Sequence, residues 1–189
     1  MKINGNALRP GNVIEHRDRL WRVVRVQHTQ PGKGGAYMQA ELRDLRNGSK
    51  LNERFRAQEE VERVRLEQGT YQYLYAEGDQ HVFMDPNNFE QVTIAAATIG
   101  EELVPFLQDG MDVSIEAFDG EILGVELPDS LVLEVTEADA VVKGQTASSS
   151  FKPAMLSNGV RIMVPPHIEA GTRLVINPTE RTYVERAKD

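Results

Sequence analysis

The chain has 189 residues, 40% of them hydrophobic and 26% charged, with 15 Gly and 9 Pro, a composition near that of soluble globular proteins that excludes collagen and wholesale disorder. It has no Cys, so disulfides, thiolate metal sites and thiol catalysis are out, which fits a reducing, cytoplasmic compartment; no apolar run approaches the roughly 20 residues that span a bilayer, and MKINGNALRPG lacks the apolar stretch of a secretory signal. The net charge of −8 opposes a coat-like grip on nucleic acid, but it is unevenly divided: residues 1–64 carry 13 Lys/Arg against 8 Asp/Glu (+5), residues 65–127 carry 1 against 13 (−12), and residues 128–189 carry 7 against 8 (−1). This partition is either ordinary surface variation or a device that orients the molecule, basic end first, in the field of a polyanion.

The first segment, 1–64, reads as β structure. Val13 to His16 and Leu20 to His28 are rich in branched and aromatic residues. From Ala36 to Arg46, Tyr37, Gln39 and Glu41 alternate with Met38, Ala40 and Leu42, which predicts one buried and one wet face. Asn47-Gly48 then turns the chain into Lys50 to Arg56, because both residues tolerate positive φ. The expected product is a half-open barrel of short antiparallel strands, SH3-like or KOW-like.

Between its second and third strands lies Thr29-Gln30-Pro31-Gly32-Lys33-Gly34-Gly35-Ala36. Pro31 fixes φ before the tip, and Gly32, Gly34 and Gly35 remove side-chain bulk around Lys33, so one long cation projects from a bare loop. On composition alone this is either a presented cation or a hairpin tip with a solubilising lysine. A phosphate-binding P-loop is excluded: Gly34 stands where Ser or Thr would hold Mg²⁺, and Gln27 replaces the leading Gly.

The second segment, 65–127, contains YQYLYAEGDQHVFMD, two strands meeting at Gly78-Asp79. Tyr71, Tyr73 and Tyr75 are spaced two apart and so are expected on one strand face, either stacking bases or packing a core; the acidic surroundings favour the core. A short helix is predicted from Ile99 to Leu107, and Asp119-Gly120 predicts a hairpin joining Val113–Phe118 to Glu121–Leu127. Strands, one helix and strands suggest an OB-type barrel. The third segment, 128–189, alternates Leu131, Leu133 and Val135 with Val132, Glu134 and Thr136, then runs through a polar loop at 144–150 to further strands turned at Asn158-Gly159, a second OB-like barrel. The expected fold class is therefore all-β: three consecutive small barrels. His16, His28, His81 and His167 show no i, i+4 pairing, so neither a metal site nor an enzyme is expected, and no cofactor.

Four stretches, QPGKGGA at 30–36, YLYAEGDQHVFMD at 73–85, LPDSLVLEVTEAD at 127–139 and KPAMLSNGVRIMVPPHIEAG at 152–171, closely resemble bacterial elongation factor P, and the resemblance covers all three segments. It implies a KOW-like barrel followed by two OB barrels in a tRNA-like L shape. It further implies a monomer that binds the 70S ribosome between the P and E sites, contacts P-site peptidyl-tRNA and relieves stalling at consecutive prolines. Lys33 falls on the family's tip position, which reaches towards the CCA end and, in many members, is lengthened by a separate lysine-modifying enzyme with a β-lysyl or aminopentanol group; a lysine here excludes the arginine-tipped, rhamnosylated route. Tyr183 and Arg186 match the C-terminal Tyr-x-x-Arg, implying a contact with the small subunit and the tRNA anticodon stem.

Two departures from the family pattern stand out. The loop that usually reads Gly-Asp-Thr and approaches the E-site codon is Gly144-Gln145-Thr146, so a neutral amide replaces its carboxylate. Asn177-Pro178-Thr179-Glu180-Arg181-Thr182 stands where many relatives have a Thr-Gly turn, a change expected to alter a turn and not the activity. Two other readings compete with the factor itself: an elongation factor P-like paralogue, and a general OB-type RNA-binding protein, against which the acidic middle weighs.

Overall fold

The computed structural model describes residues 1–140 and 150–188. Among them lie sixteen strands, one four-residue helix and two single 3-10 turns, so the chain is all-β. By compactness it divides into two units, Met1–Gln68 with Glu116–Gly124, and Gly69–Ile115 with Val125–Asp189.

In the first unit, β1 (Lys2–Asn4), β2 (Val13–His16), β3 (Arg19–Thr29), β4 (Tyr37–Asp44), β5 (Lys50–Arg56) and β6 (Glu60–Val64) form an antiparallel sheet in the order β1-β6-β2-β3-β4-β5. The alternation read in β4 is realised: Met38, Ala40 and Leu42 are buried while Gln39 is exposed. Ala40 and Leu42 join Ile14, Trp21 and Phe55 in one core. Asn47-Gly48 makes the expected turn, with Gly48 at φ 74° and the buried Asp44 carboxylate accepting the N–H groups of Arg46 (2.8 Å) and Asn47 (3.2 Å). The β2–β3 turn has no glycine, although Arg17 and Asp18 both adopt positive φ (52° and 59°). Glu53 supports it, 2.8 Å from Arg17 Nη2 and 2.9 Å from His16 Nε2. Those contacts, His16 first, hold the Glu53 carboxyl below its ordinary pKa.

The second sheet consists of β7 (Glu67–Glu77), β8 (Gln80–Met84), β9 (Gln91–Ala95), β10 (Asp112–Phe118) and β11 (Glu121–Glu126) in the order β11-β10-β7-β8-β9. Asp119 (φ 50°) and Gly120 (φ 80°) make the expected β10–β11 turn. Two expectations need correction here. The helix predicted at 99–107 is instead the last residue of α1 (Ala96–Ile99), a break at Gly100 (φ 101°) and a 3-10 turn at Val104–Phe106, because positive φ ends the helix and Pro105 lacks the donor to rebuild it. Nor do the three tyrosines share a face: the register shifts between Tyr73 and Tyr75, so Tyr73 is buried beside Phe83 (ring centroids 5.3 Å) while Tyr75 is 49% exposed.

The third sheet, β12 (Leu131–Ala138), β13 (Lys152–Leu156), β14 (Arg161–Val164), β15 (Arg173–Asn177) and β16 (Thr182–Arg186), runs β14-β13-β12-β15-β16. Leu131, Leu133 and Val135 face its core as their alternation predicts, and Gly159 (φ 81°) makes the β13–β14 turn.

Buried His81 lies 3.1 Å from the Tyr73 hydroxyl, and burial lowers its pKa below the ordinary value, with Asp79 opposing the effect in part. The unfolded chain therefore takes up a proton below about pH 6.5 that the folded chain resists, so stability falls as pH drops through that value towards the folded pKa. We expect the urea midpoint to fall between pH 7.5 and 5.5, and to fall less in His81→Gln; equal slopes for the two proteins would show that His81 is not the responsible group.

Candidate functional site

The tip loop is held at its base and bare at its end. β3 and β4 pair as far as Thr29↔Tyr37, and beyond that rung Gln30 to Gly35 are all exposed. The base is pinned by the Ala57 N–H donating to the Ala36 carbonyl (3.0 Å) and by the Arg54 guanidinium lying 4.2 Å from the centre of the Tyr37 ring. Lys33 is exposed, with no ion pair or hydrogen bond among the described residues.

The glycines around it are not required by the fold. Neither Gly32, Gly34 nor Gly35 has positive φ. An added Cβ would meet nothing within 4 Å at Gly32 and Gly35, and only Pro31 Cγ at 3.4 Å at Gly34. Their missing side chains leave room for something outside the chain to approach the backbone beside Lys33. Pro31, Gly32, Lys33, Gly34 and Gly35 are thus brought together as one presented group.

Behind the tip, β3, β4 and β5 carry the basic side chains. Arg43 faces Arg22 on one neighbouring strand and Lys50 on the other, a row of like charges that is unfavourable by itself. Arg22 is relieved by Glu116 (2.7 Å), and Arg46 is gripped by both oxygens of Glu121 (3.1 and 2.9 Å), which lowers the Glu121 pKa. Arg25, Arg43, Lys50, Arg54 and Arg56 have no ion-pair partner among the described residues, so most of the positive surplus of the first segment stays available.

Tyr183 and Arg186 lie in the second unit, on edge strand β16. Three residues apart, they would point to opposite faces of a regular strand. The register shift between Val175 and Ile176 changes that: Tyr183 pairs with Ile176 and Arg186 with Leu174, two positions apart on β15, so the two side chains share a face. Sequence reasoning missed Phe151, which meets Tyr183 edge to face (centroids 6.5 Å) and is itself 51% exposed. The available signal was an aromatic directly after a serine run. Gly144, Gln145 and Thr146 lie outside the described residues.

Comparison with known proteins covers nearly the whole chain. Residues 4–61 match the elongation factor P KOW-like domain, residues 66–125 the elongation factor P OB domain, and residues 131–186 the elongation factor P C-terminal domain. The chain is 58% identical over 187 residues to elongation factor P of Sphingopyxis alaskensis and 57% identical over 187 residues to that of Parvibaculum lavamentivorans, in each case across 99% of this chain and all of the relative. Among solved structures, eukaryotic translation initiation factor 5A from Methanococcus jannaschii superposes with a TM-score of 0.54 at 21% identity, covering 68% of this chain and 92% of that one, a likeness of fold.

The glycines give a direct test of folding need against access. At buried Gly5 an added Cβ would sit 2.3 Å from the Arg56 carbonyl oxygen, so Gly5→Ala should destabilise the first unit by about 2 kcal/mol. Gly32→Ala and Gly35→Ala should each change stability by less than about 0.5 kcal/mol in urea titrations. A large loss at position 32 or 35 would mean that the fold itself demands a glycine there.

Proposed function

The chain belongs to the elongation factor P family, and on that premise we propose that this translation elongation factor binds the ribosome between the P and E sites, contacts P-site peptidyl-tRNA and restores peptide-bond formation at consecutive prolines. The observation that best supports this reading is the tip loop, a single ammonium on an anchored hairpin whose neighbouring residues leave the backbone open. The CCA end of a tRNA offers phosphates, riboses and base edges. An ammonium with three donors can bind several of these at once, and the glycines let the RNA backbone come close.

Proline attacks poorly because its ring restricts approach, and a polyproline chain holds the peptidyl-tRNA in unproductive geometry. Holding the CCA end still lowers the entropic cost of aligning donor and acceptor, a term that reaches several kcal/mol in well-oriented intramolecular reactions. The factor makes and breaks no bond; the ribosome performs the chemistry. A separate lysine-modifying enzyme would find the Lys33 amine fully accessible, and lengthening it would extend its reach.

The remaining parts follow the same reading. Residues 1–64, 65–127 and 128–189 act as three domains of a cytoplasmic monomer. The unpaired cations of the first lie along the tRNA acceptor arm, while the acidic middle keeps that approach in one orientation. Tyr183 and Arg186, on one face, suit a stacked base or ribose beside a phosphate at the small subunit. Gln145, within Gly144–Thr146, offers an amide to the E-site codon.

Two experiments test this. Lys33→Ala should lower rescue on a Pro-Pro-Pro reporter by about tenfold or more while moving stability by less than about 0.5 kcal/mol; full rescue by the variant would refute the proposal. Ribosome affinity should fall with salt, and neutralising Arg25, Arg43 and Lys50 together should flatten that log–log slope by about one unit for each phosphate left without its cation. An unchanged slope would show that these cations do not face RNA.

A further inference from the structure

The turn between β15 and β16 does more than reverse the chain. Asn177 Oδ1 accepts the N–H groups of Thr179 and Glu180, each at 3.0 Å, and the turn ends on Arg181 at φ 54°. A glycine would take that backbone conformation without strain. Arginine, with its Cβ, is strained there, and its side chain indicates what the strain supports. Arg181 Nη2 donates to the Glu102 carbonyl oxygen at 2.7 Å, and its guanidinium lies 5.7 Å from the centre of the fully buried Phe106 ring.

Glu102 and Phe106 belong to the segment between α1 and β10 in the second sheet, whereas Arg181 belongs to the third. A second tie reaches the same segment from another turn of the third sheet: Asn158 Nδ2 donates to the Pro105 carbonyl at 3.1 Å. Both sheets' parts lie in one compact unit. Each tie ends on a main-chain carbonyl of a segment already shaped by Gly100 and Pro105, so the acceptors are fixed in place and independent of side-chain motion.

We infer that Arg181 is a positioning residue, a strut that fixes the third sheet against the second and thereby sets where Tyr183, two residues further on, and Arg186 are presented. Its structural part stands alone; its consequence for ribosome binding rests on the function proposed above. A charge-assisted hydrogen bond with a ring beneath the guanidinium resists both sliding and rotation, which a glycine turn would not.

Because the chain has no Cys, Glu77→Cys and Glu134→Cys place spin labels only on exposed positions of β7 and β12, one per sheet. In the full-length protein the strut predicts a narrow label-to-label distance distribution that broadens in Arg181→Gly and is partly restored in Arg181→Lys, which keeps a positive charge and hydrogen-bond donors. Asn158→Ala should broaden it less, and the double variant Asn158→Ala/Arg181→Gly most. If Arg181 merely shaped the turn, Arg181→Gly would relieve strain, raise the melting temperature by about 2 °C and leave the distribution as narrow as before, overturning the inference. On ribosomes, Arg181→Gly should weaken affinity severalfold while rescue at saturating factor stays at the unsubstituted level, with Lys restoring affinity in part. Should the unsubstituted factor give no rescue at all, the proposed function fails, and the distance distribution still decides the strut.

Discussion

A strand buries every second side chain, and the long β3–β4 hairpin depends on that constraint. Met38, Ala40 and Leu42 are buried, the last two in the first core, while Tyr37 is half-buried and Gln39 exposed, so β4 is fixed in register by three buried residues. A slip of one residue would expose all three. The register carries the pairing up to Thr29↔Tyr37, and there the Arg54–Tyr37 stack and the Ala36–Ala57 hydrogen bond hold the last rung. Everything beyond is loop. The point where the tip loop leaves the sheet is thus determined by the core, and the loop carries Lys33 beyond it.

The charge division has a finer structure than the sums over segments suggest. The acidic second segment sends Glu116 and Glu121 against Arg22 and Arg46, so part of the basic surplus is satisfied internally. The exposed Arg46–Glu121 pair adds little stability, whereas Glu116 is mostly buried against Arg22; the effect of both is to choose which cations remain for a partner. Arg43 and Lys50, opposed across β4 and β5 without a carboxylate between them, are the residues a polyanion would relieve.

Much of this was legible in the sequence, for identifiable reasons. The alternations in β4 and β12 and the turns at Asn47-Gly48, Asp119-Gly120 and Asn158-Gly159 follow from burial and from φ alone, and all appear. β1 and β6 were missed because they are short and polar, and exist by pairing with each other at Ile3↔Val61 and with β2. The break between β2 and β3 follows from the runs Val13–His16 and Leu20–His28, but its turn geometry was not legible because it reaches positive φ without glycine, supported instead by distant Glu53. The predicted helix at 99–107 failed on two residues, Gly100 and Pro105, whose local effects outweigh the helical pattern around them.

Register shifts account for the remaining differences, and they act on sites as much as on folds. Spacing in a sequence gives a face only while the ladder is regular; one extra residue inverts every assignment beyond it. At Tyr73 and Tyr75 the shift splits an apparent aromatic stripe into a core residue and an exposed one. Opposite Tyr183 and Arg186 it does the reverse, joining on one face two side chains that their spacing would separate. Both changes need only a single unpaired residue, which adds no composition signal of its own. The tip loop escapes this ambiguity because no ladder runs through it. The presented lysine could therefore be read from its neighbours, whereas the Tyr183–Arg186 face required the observed register.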